Sequence, residues 1–594
     1  MKEQFCLITS SDKRIWDTSK RILIMHPGCM RLEESAHLSG DCIVNRTRYV
    51  NRAEYDASVK YLTGLFARIE VDLANCLNEL HCIDYDLKSW RLIFKWWLVQ
   101  YVSQIYYLYT IISDLKEDYS FYVPYINMES YTVFSGLDFQ RYLDEYDTYN
   151  SWLSSRIAKA MGIRVEELDS TIQEPSKINN GRKTNQTKLL MRLRLLLLER
   201  ITSRNSIIFY NGIVYMGLRG MLSSAKYADL SFKWCKAANL SSKKPNREMR
   251  SRIVLKQLDQ NNEFEQLLSE MIKDDLPIAY LEGFELLKKQ GIRHFGKNKN
   301  AFYSINCWFN DEIAKAYVAY ARKAYGMTLV GIQHGGTAVF KGDIFSIDTS
   351  IVDRYYTWGN KRRIEGCEII PFPSFVLGDT IVSYNTHYSN NDKTDILFVG
   401  SLESRYRVRF RYPYDVVTYD YVNNQVEYIK RLYESITPFR CRLYFNDYGW
   451  DLLERAKLEC PNLVYDSPNT GFLSSISHAK LCVFDIFMTT WTQAYVLGIP
   501  FIIITPKEME DYYEDELDQI EKLKEVGVYY NDINDAVAVI KQIENSVLEW
   551  WKEPRRQAVV DEFAQKYCMC QPEHTWDAWR DMIKDNTNNK YNAR

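Results

Sequence analysis

Two rhythms of hydrophobic residues run along the chain. From Tyr61, apolar side chains recur at helical spacing, at Leu62, Leu65, Phe66, Ile69, Leu73, Leu77 and Leu80, which predicts an amphipathic helix of about five turns. Ahead of it, RILIM (Arg21 to Met25) predicts a strand that ends at Pro27 and Gly28. Behind it, residues 92–112 read LIFKWWLVQYVSQIYYLYTII, nearly apolar throughout and almost long enough for a bilayer span. Lys95, Gln100, Ser103 and Gln104 interrupt that run. A helix apolar on nearly every face is also the mark of burial in a large domain, and that is the expectation here. Residues 120–180 are polar and tyrosine-rich without a clear period.

From residue 276 the rhythm changes. LPIAYLEGFELLKKQGI predicts a helix, NAFYSINCWF a strand and its exit, and DEIAKAYVAYARKAYGM another helix. TLVGIQHGG and IVDRYYTWGN then predict strands ending at glycine. Strand–helix–strand with glycine-rich exits is the pattern of a parallel sheet. Residues 365–393 lose the period and carry Pro371 and Pro373, which predicts a linker. The pattern restarts at DILFVG (395–400) and continues through CRLYF, NLVYD, KLCVFD, the helix TTWTQAYVLG and the strand PFIIIT. The expected fold is therefore α/β and GT-B-like: two Rossmann-like, doubly wound domains facing a cleft, with a helical N-terminal elaboration. Its parts are an acceptor-side α/β domain with a helical insertion over 1–365, a linker over 366–393, a C-terminal Rossmann-like domain over 394–555, and helices over 556–594.

Composition narrows this picture slightly. With 594 residues the chain exceeds what one core organises. A formal net charge of −2 supplies no global field for nucleic acid, and none is expected as a partner. Thirteen cysteines follow no repeating spacing. The nearest approach to a metal motif is Cys76, His81 and Cys82, with CMC at 568–570 far away. Neither has the paired spacing of a zinc site, so structural thiols in a reducing cytoplasm are expected. The N-terminus lacks an apolar core followed by a cleavage site, so no signal peptide is read. Residues 182–204, RKTNQTKLLMRLRLLLLERITSR, are basic and apolar together. They read as a buried helix with a solvated arginine edge, or as a face lying on anionic lipid headgroups. A second basic region, KKPNREMRSRIVLK, spans 243–256.

Ligands of an open parallel sheet bind outside the carboxyl ends of its strands, and three segments place polar groups there. The first is Gln333-His334-Gly335-Gly336. Its glycines permit positive φ and close approach of a ligand, and His334 suits proton transfer or phosphate contact; a helix-capping histidine is the plain alternative. The second is VFDIFMTTWTQAYVLGIP, where Thr489 and Thr490 open a helix. They are either caps or a phosphate cradle at the positive end of the helix dipole, with Gln493 on the first turn positioned for ribose. The third is RLYFNDYGW, with Arg442 at its start and Asp447 in the exit loop. Arg442 offers bidentate contacts to phosphate, or an ion pair with Asp447. The loop GSLESRYRVRF adds Arg405 and Arg407. Asp311 and Glu312, after the SINCWFN strand, and Glu282 in LEGF are carboxylate candidates. No Walker loop, zinc-protease helix or kinase signature is present.

In these segments the chain resembles a transferase family of bacterial O-antigen and surface-carbohydrate gene clusters, with GT-B-like architecture. LPIAYLEGF, IQHGG, DRYYTWG, DYGW, HAKLCVFD and TTWTQAYVLGIP follow that family's order, and residues 77–106 are similar to its N-terminal block. The resemblance implies a glycosyltransferase with a nucleotide-activated sugar held mainly by the C-terminal domain. A glycan or lipid-linked glycan acceptor would enter from the N-terminal side. The catalytic candidates among the residues above are His334, Asp311 and Glu282, with solvation of a helix as the plain alternative for Glu282. The donor-binding candidates are Gln333, Gly335, Gly336, Arg405, Arg442, Asp447, Thr489, Thr490 and Gln493. A CMP-ulosonic acid such as CMP-Kdo is one donor the resemblance suggests. It implies no resident cofactor and no metal site, and places the protein in the cytoplasm with contact to the inner-membrane surface as an open expectation. The family carries Glu where Gln493 stands, the acid that in GT-B enzymes grips ribose. Two other readings stay open: a sugar- or polyol-phosphate transferase on the same fold, and a non-catalytic GT-B-like binding or assembly protein.

Overall fold

The computed structural model describes residues 4–33, 42–45, 52–127, 133–168, 196–210, 218–234, 236, 238, 240, 243–336, 344–410 and 418–592. These form three parallel sheets, where two were expected. The first runs Cys42–Val44, Ile22–Ile24, Gln4–Ile8, Ser120–Ile126, Val165–Leu168. The middle sheet runs Glu368–Pro371, Arg354–Thr357, Thr328–Ile332, Ala301–Ser304, Ile207–Tyr210, Leu230–Lys233. The C-terminal sheet runs Phe439–Arg442, Asp395–Val399, Ala479–Phe484, Phe501–Ile504, Tyr529–Tyr530. The chain enters each sheet in its interior and winds outward both ways, which is the doubly wound α/β pattern.

The apolar runs became strands because both faces of each sheet are covered. Cys6, Leu7 and Ile8 are fully buried, as are Ile396 to Phe398 and Leu481 to Val483. A parallel sheet covered on both faces needs this continuous apolarity. The amphipathic stretch from Tyr61 belongs to a longer helix, Arg52–His81, whose buried stripe includes Leu62, Leu65, Ile69, Leu73 and Leu77. The aromatic run lies in the helix Leu87–Asp118, buried on most faces inside the protein. Among the described residues no helix is long and apolar enough to cross a membrane. The polar residues in that helix have internal uses: Gln100 donates to the Trp96 carbonyl at 3.1 Å, and Gln104 accepts from the Val408 amide at 3.0 Å.

Elsewhere the structure departs from the sequence pattern. Residues 120–168 contain two strands and two helices. Tyrosines blur the period there: Tyr122 is buried while its hydroxyl donates to Asp17 at 3.0 Å, and Tyr149 is buried as well. The 366–393 stretch carries the edge strand Glu368–Pro371 and the helix Phe375–His387; its prolines sit at the sheet edge, where no further ladder bond is needed. NLVYD makes only an isolated bridge, Tyr465 to Cys441. The basic stretch 182–195 lies outside the described residues. The chain end returns to the middle sheet: Trp579 on the helix Thr575–Asn592 packs near Tyr356 and Phe372, and its Nε1 donates to the Pro373 carbonyl at 2.8 Å.

The C-terminal sheet is fastened to the first by the loop 400–410. Arg405 donates to the Tyr448 carbonyl, Ser11 Oγ and Asp147. Tyr406 donates to Asp147 and accepts from the Ser11 amide. Arg407 pairs with Asp144 at 2.7 Å, both side chains nearly buried. A buried pair contributes little net energy, but removing one partner strands the other charge. Asp144→Ala should therefore destabilise the protein by about 3 kcal/mol, while Asp144→Leu combined with Arg407→Met should recover most of that loss. Thermal unfolding of the wild type and both variants checks this; equal losses in the single and double variants would remove Arg407 as the cause.

Candidate functional site

The carboxyl ends of the middle and C-terminal sheets meet at a cavity of about 370 Å³. From the C-terminal sheet come Val399 to Ser401, the exit of the strand where the sheet reverses winding, and Asp485 to Thr490, the exit of its neighbour. This is the topological switch point, where adjacent strand exits part and leave a crevice. The middle sheet contributes His334, Gly335 and Ile347, the long aromatic helix contributes Trp96, and Glu403, Arg409 and Tyr444 complete the lining. A larger open groove of about 950 Å³ lies at the other end of the helix Thr489–Val496. It gathers helix surfaces and no switch point, so the smaller cavity is the better candidate.

The QHGG turn is built from within. The buried Gln333 donates from Nε2 to the Gly335 carbonyl at 2.7 Å and accepts at Oε1 from the Trp358 amide at 2.8 Å. It therefore shapes the turn, with one amide hydrogen and one oxygen lone pair still unused by those two bonds. Neither Gly335 nor Gly336 uses the positive φ that glycine permits. Both are needed for close approach of the other sheet's helix. A Cβ on Gly335 would stand 2.5 Å from Thr489 Oγ1, and one on Gly336 would stand 2.8 Å from Thr492 Cγ2 and 3.1 Å from the Met488 carbonyl. The Gly336 amide donates to Thr489 Oγ1 at 3.1 Å.

His334 is left exposed to the cavity, and its ring has no hydrogen-bond partner among the described residues. The protein on both sides of the cleft holds its pKa below the ordinary histidine value by desolvation. It is thus a neutral, accessible imidazole near neutral pH. Opposite, the helix Thr489–Val496 begins without a side-chain cap, so its first amides point toward the cavity with the positive end of the helix dipole. Arg409 lies 3.5 Å from Glu403 and over the Trp96 ring at 5.5 Å. Asp485 Oδ2 accepts from the Ser401 amide at 3.0 Å, from Tyr421 at 2.6 Å and from Gln425. Burial pushes its pKa up to about 6, outweighing those three donors.

A sequence model of the LIC12162 family of transferases matches residues 5–583. The chain belongs to that family. No curated protein sequence matches it. Solved structures that overlap it include the wall teichoic acid polymerase TagF, at 13% identity over 68% of this chain and 96% of that one, with a TM-score of 0.33. MurG of Acinetobacter baumannii overlaps at 11% identity over 64% and 98%, with a TM-score of 0.32. Anabaena Alr3699/HepE, in complex with UDP and glucose, overlaps at 8% identity over 66% and 100%, with a TM-score of 0.31. Overlaps at this level say nothing of ligand or reaction.

Of the expected site residues in this transferase, His334, Gly335, Thr489 and Thr490 line the cavity, with Gly336 at its edge. The others are used elsewhere. Asp311 caps the helix Glu312–Tyr325 through the Ala314 amide at 2.8 Å and accepts from Tyr210. Its neighbour Glu312 is buried against Lys315 at 2.9 Å. Glu282 is held by Arg250 at 2.7 Å, with both side chains buried. Arg405 is spent on the tie to the first sheet. Arg442 donates to the Thr470 carbonyl and Ser475 Oγ, at 2.9 and 2.7 Å. Asp447 does not pair with it and instead accepts from the Asp451 and Leu452 amides. Gln493 turns away from the cavity and donates to Thr380 Oγ1 at 3.2 Å. Asp485, Ser401, Glu403, Arg409, Tyr444 and Trp96 were not singled out as site residues. The strand end at Asp485 and the segments GSLESRYRVRF and RLYFNDYGW contain all of them but Trp96, which a helix from distant sequence brings in.

Two outcomes follow from this geometry. Gly335→Ala should cost about 1–3 kcal/mol by overpacking, and adding Thr489→Ala should relieve most of it; a melting temperature unchanged by the single substitution would refute the close contact. For Asp485, a folded pKa of about 6 above the unfolded value of 3.8 means that the folded state binds this proton more tightly. Its stabilising effect is full below pH 3.8 and is lost as pH rises through about 6. Asp485→Asn keeps an acceptor for the three donors, so it should gain stability relative to wild type as pH rises from about 4 to 7. A constant difference across that window would show that Asp485 is ionised throughout.

Proposed function

We propose that this transferase is a glycosyltransferase that moves a sugar from a nucleotide-activated donor to a surface-glycan or lipid-linked glycan acceptor. The observation that carries the reading is the meeting of an accessible, partner-free His334 with an uncapped helix N-terminus across one cavity. In this reading the donor phosphates rest against the first amides of the helix Thr489–Val496 and the hydroxyls of Thr489 and Thr490, with the Arg409 guanidinium nearby. The acceptor hydroxyl attacks the anomeric carbon, a carbon–oxygen bond to phosphate breaks, and His334 takes the hydroxyl proton. The departing phosphate keeps the electron pair, and the amide dipoles stabilise its charge. The depressed pKa of His334 favours this role, because a base must be unprotonated at working pH. Activity should accordingly fall on acidification as the imidazole takes up a proton. A CMP-ulosonic acid such as CMP-Kdo is the donor we would try first, with the protein working at the cytoplasmic side of the inner membrane.

Nucleotide thermal shift tests the donor class. A ligand at about 100 times its dissociation constant stabilises the fold by roughly 2.7 kcal/mol, a shift readily seen in a melting curve. A response confined to CMP and CMP-sugars would identify the donor nucleotide; silence with CMP, CDP, UDP, GDP and their sugars would sink the glycosyltransferase reading. His334→Ala should abolish transfer while leaving the melting temperature unchanged, since the ring has no hydrogen-bond partner among the described residues. Full transfer by that variant would remove His334 from the mechanism.

A further inference from the structure

The outer edge of the middle sheet carries a second cavity, of about 310 Å³, well apart in sequence and lining from the cleft. Its walls bring together Arg200, Lys233, Lys236, Arg293 and His294, against a single carboxylate, Glu199. Lys233 is the last residue of the edge strand and is almost fully buried, and among the described residues its ammonium pairs with Glu199, at 3.3 Å. His294 is 7% exposed, with Nε2 on the Trp234 carbonyl at 2.9 Å. Its Nδ1 lies 3.3 Å from the same Glu199 oxygen but makes no hydrogen bond. One acid thus answers a lysine and faces a histidine, while further cations line the same space. The buried Lys299, which ties down the carbonyls of Ser203 and Asn205, has its pKa lowered to about 8, first by desolvation and then by Lys233. The local field is positive although the whole chain is nearly neutral.

A second feature adjoins this cavity. The helical turn at 196–201, which supplies Leu196, Glu199 and Arg200 to the lining, turns Leu196, Leu197 and Ile201 outward at 60%, 61% and 63% exposure. Among the described residues no other stretch of six exposes three large apolar side chains. Isolated exposed leucines need no explanation, but an apolar ridge beside a basic cavity does. Apolar side chains flanked by lysine and arginine are the composition of a surface that lies in a membrane interface.

We propose that this corner is a lipid-facing site. The cavity takes the phosphate of an anionic membrane lipid, and Leu196, Leu197 and Ile201 enter the headgroup–acyl boundary beside it. Arg200, Arg293 and Lys236 face the headgroup layer, and Lys233 lies deepest against the phosphate. The proposal deepens the membrane-side part of the proposed function but does not depend on a donor nucleotide, so each can fail while the other stands.

Flotation of the full chain with vesicles tests it. Phosphatidylcholine vesicles containing about one third phosphatidylglycerol should carry the protein upward, and neutral phosphatidylcholine vesicles should carry roughly tenfold less. Arg200→Glu with Arg293→Glu should reduce binding to the anionic vesicles by roughly tenfold or more. Leu196→Ser, Leu197→Ser and Ile201→Ser together should reduce it similarly. All these positions are at the surface, and an unchanged melting temperature confirms folding. Wild-type binding should also weaken with added sodium chloride, a readout that needs no variant. Absence of binding to anionic vesicles, equal binding to neutral ones, or full binding by both variants would overturn the proposal. A melting-temperature rise with inorganic phosphate but no vesicle binding would overturn it as well, showing that the cavity takes a soluble phosphate.

Discussion

The architecture depends on contacts where no side chain fits. The C-terminal sheet meets the other two at glycines: Gly28 of the first unit, where a Cβ would stand 2.6 Å from the Arg405 carbonyl, and Gly335 and Gly336 of the middle unit against Thr489 and Thr492. Backbone-close contacts of this kind set the separation of the sheets to within a fraction of an ångström, because packed protein does not absorb an extra methyl group freely. The width of the cleft, and so the distance from His334 to the helix start at Thr489, follows from them. Around these points the charges of Arg405, Arg407, Asp144 and the partly exposed Asp147 fix orientation. Their net energy is modest, and their geometric selectivity is the larger contribution.

The cleft divides labour between rigid and reactive parts. Gln333 is engaged in bracing the turn, and Asp485 in bracing the two strand exits of the C-terminal sheet. What else faces the cavity is small: one imidazole, the threonine hydroxyls, backbone amides and the Arg409 guanidinium, paired with Glu403 over the Trp96 ring. Groups already engaged within the protein hold their neighbours in place for chemistry that begins when a ligand arrives, and such preorganisation is what lets fixed dipoles stabilise charge in a transition state. Trp96 shows how far this extends: a residue from the helix most suggestive of a membrane span forms part of the cavity wall.

Several carboxylates and arginines with the right chemistry in sequence proved structural for one physical reason. Asp311, Glu282, Arg405 and Arg442 are mostly withdrawn from water, and a buried charge must be paired or hydrogen-bonded within the fold. Their neighbours in sequence gave no sign of those partners, because Arg250 lies 32 residues from Glu282 and Asp147 lies 258 from Arg405. The same holds for Gln493, which sits on the correct helix and is turned by its partner Thr380 to the face away from the cavity.

By itself the sequence determined the local elements and their kind. The continuous apolar strands, the helical periods and the glycine-ended exits read directly as parallel α/β units, because period and turn chemistry are short-range properties. It also placed His334, Thr489 and Thr490 at strand and helix ends, where a ligand of such a fold is bound. The number of sheets, the assignment of 368–371 to the middle one and the return of the C-terminal helix to it were decided only in three dimensions. So was the membership of the cavity, where Trp96, Arg409 and Tyr444 join His334 from points far apart in the chain. Those features depend on which surfaces bury one another and which charges find partners, and these are long-range facts that no window of sequence contains.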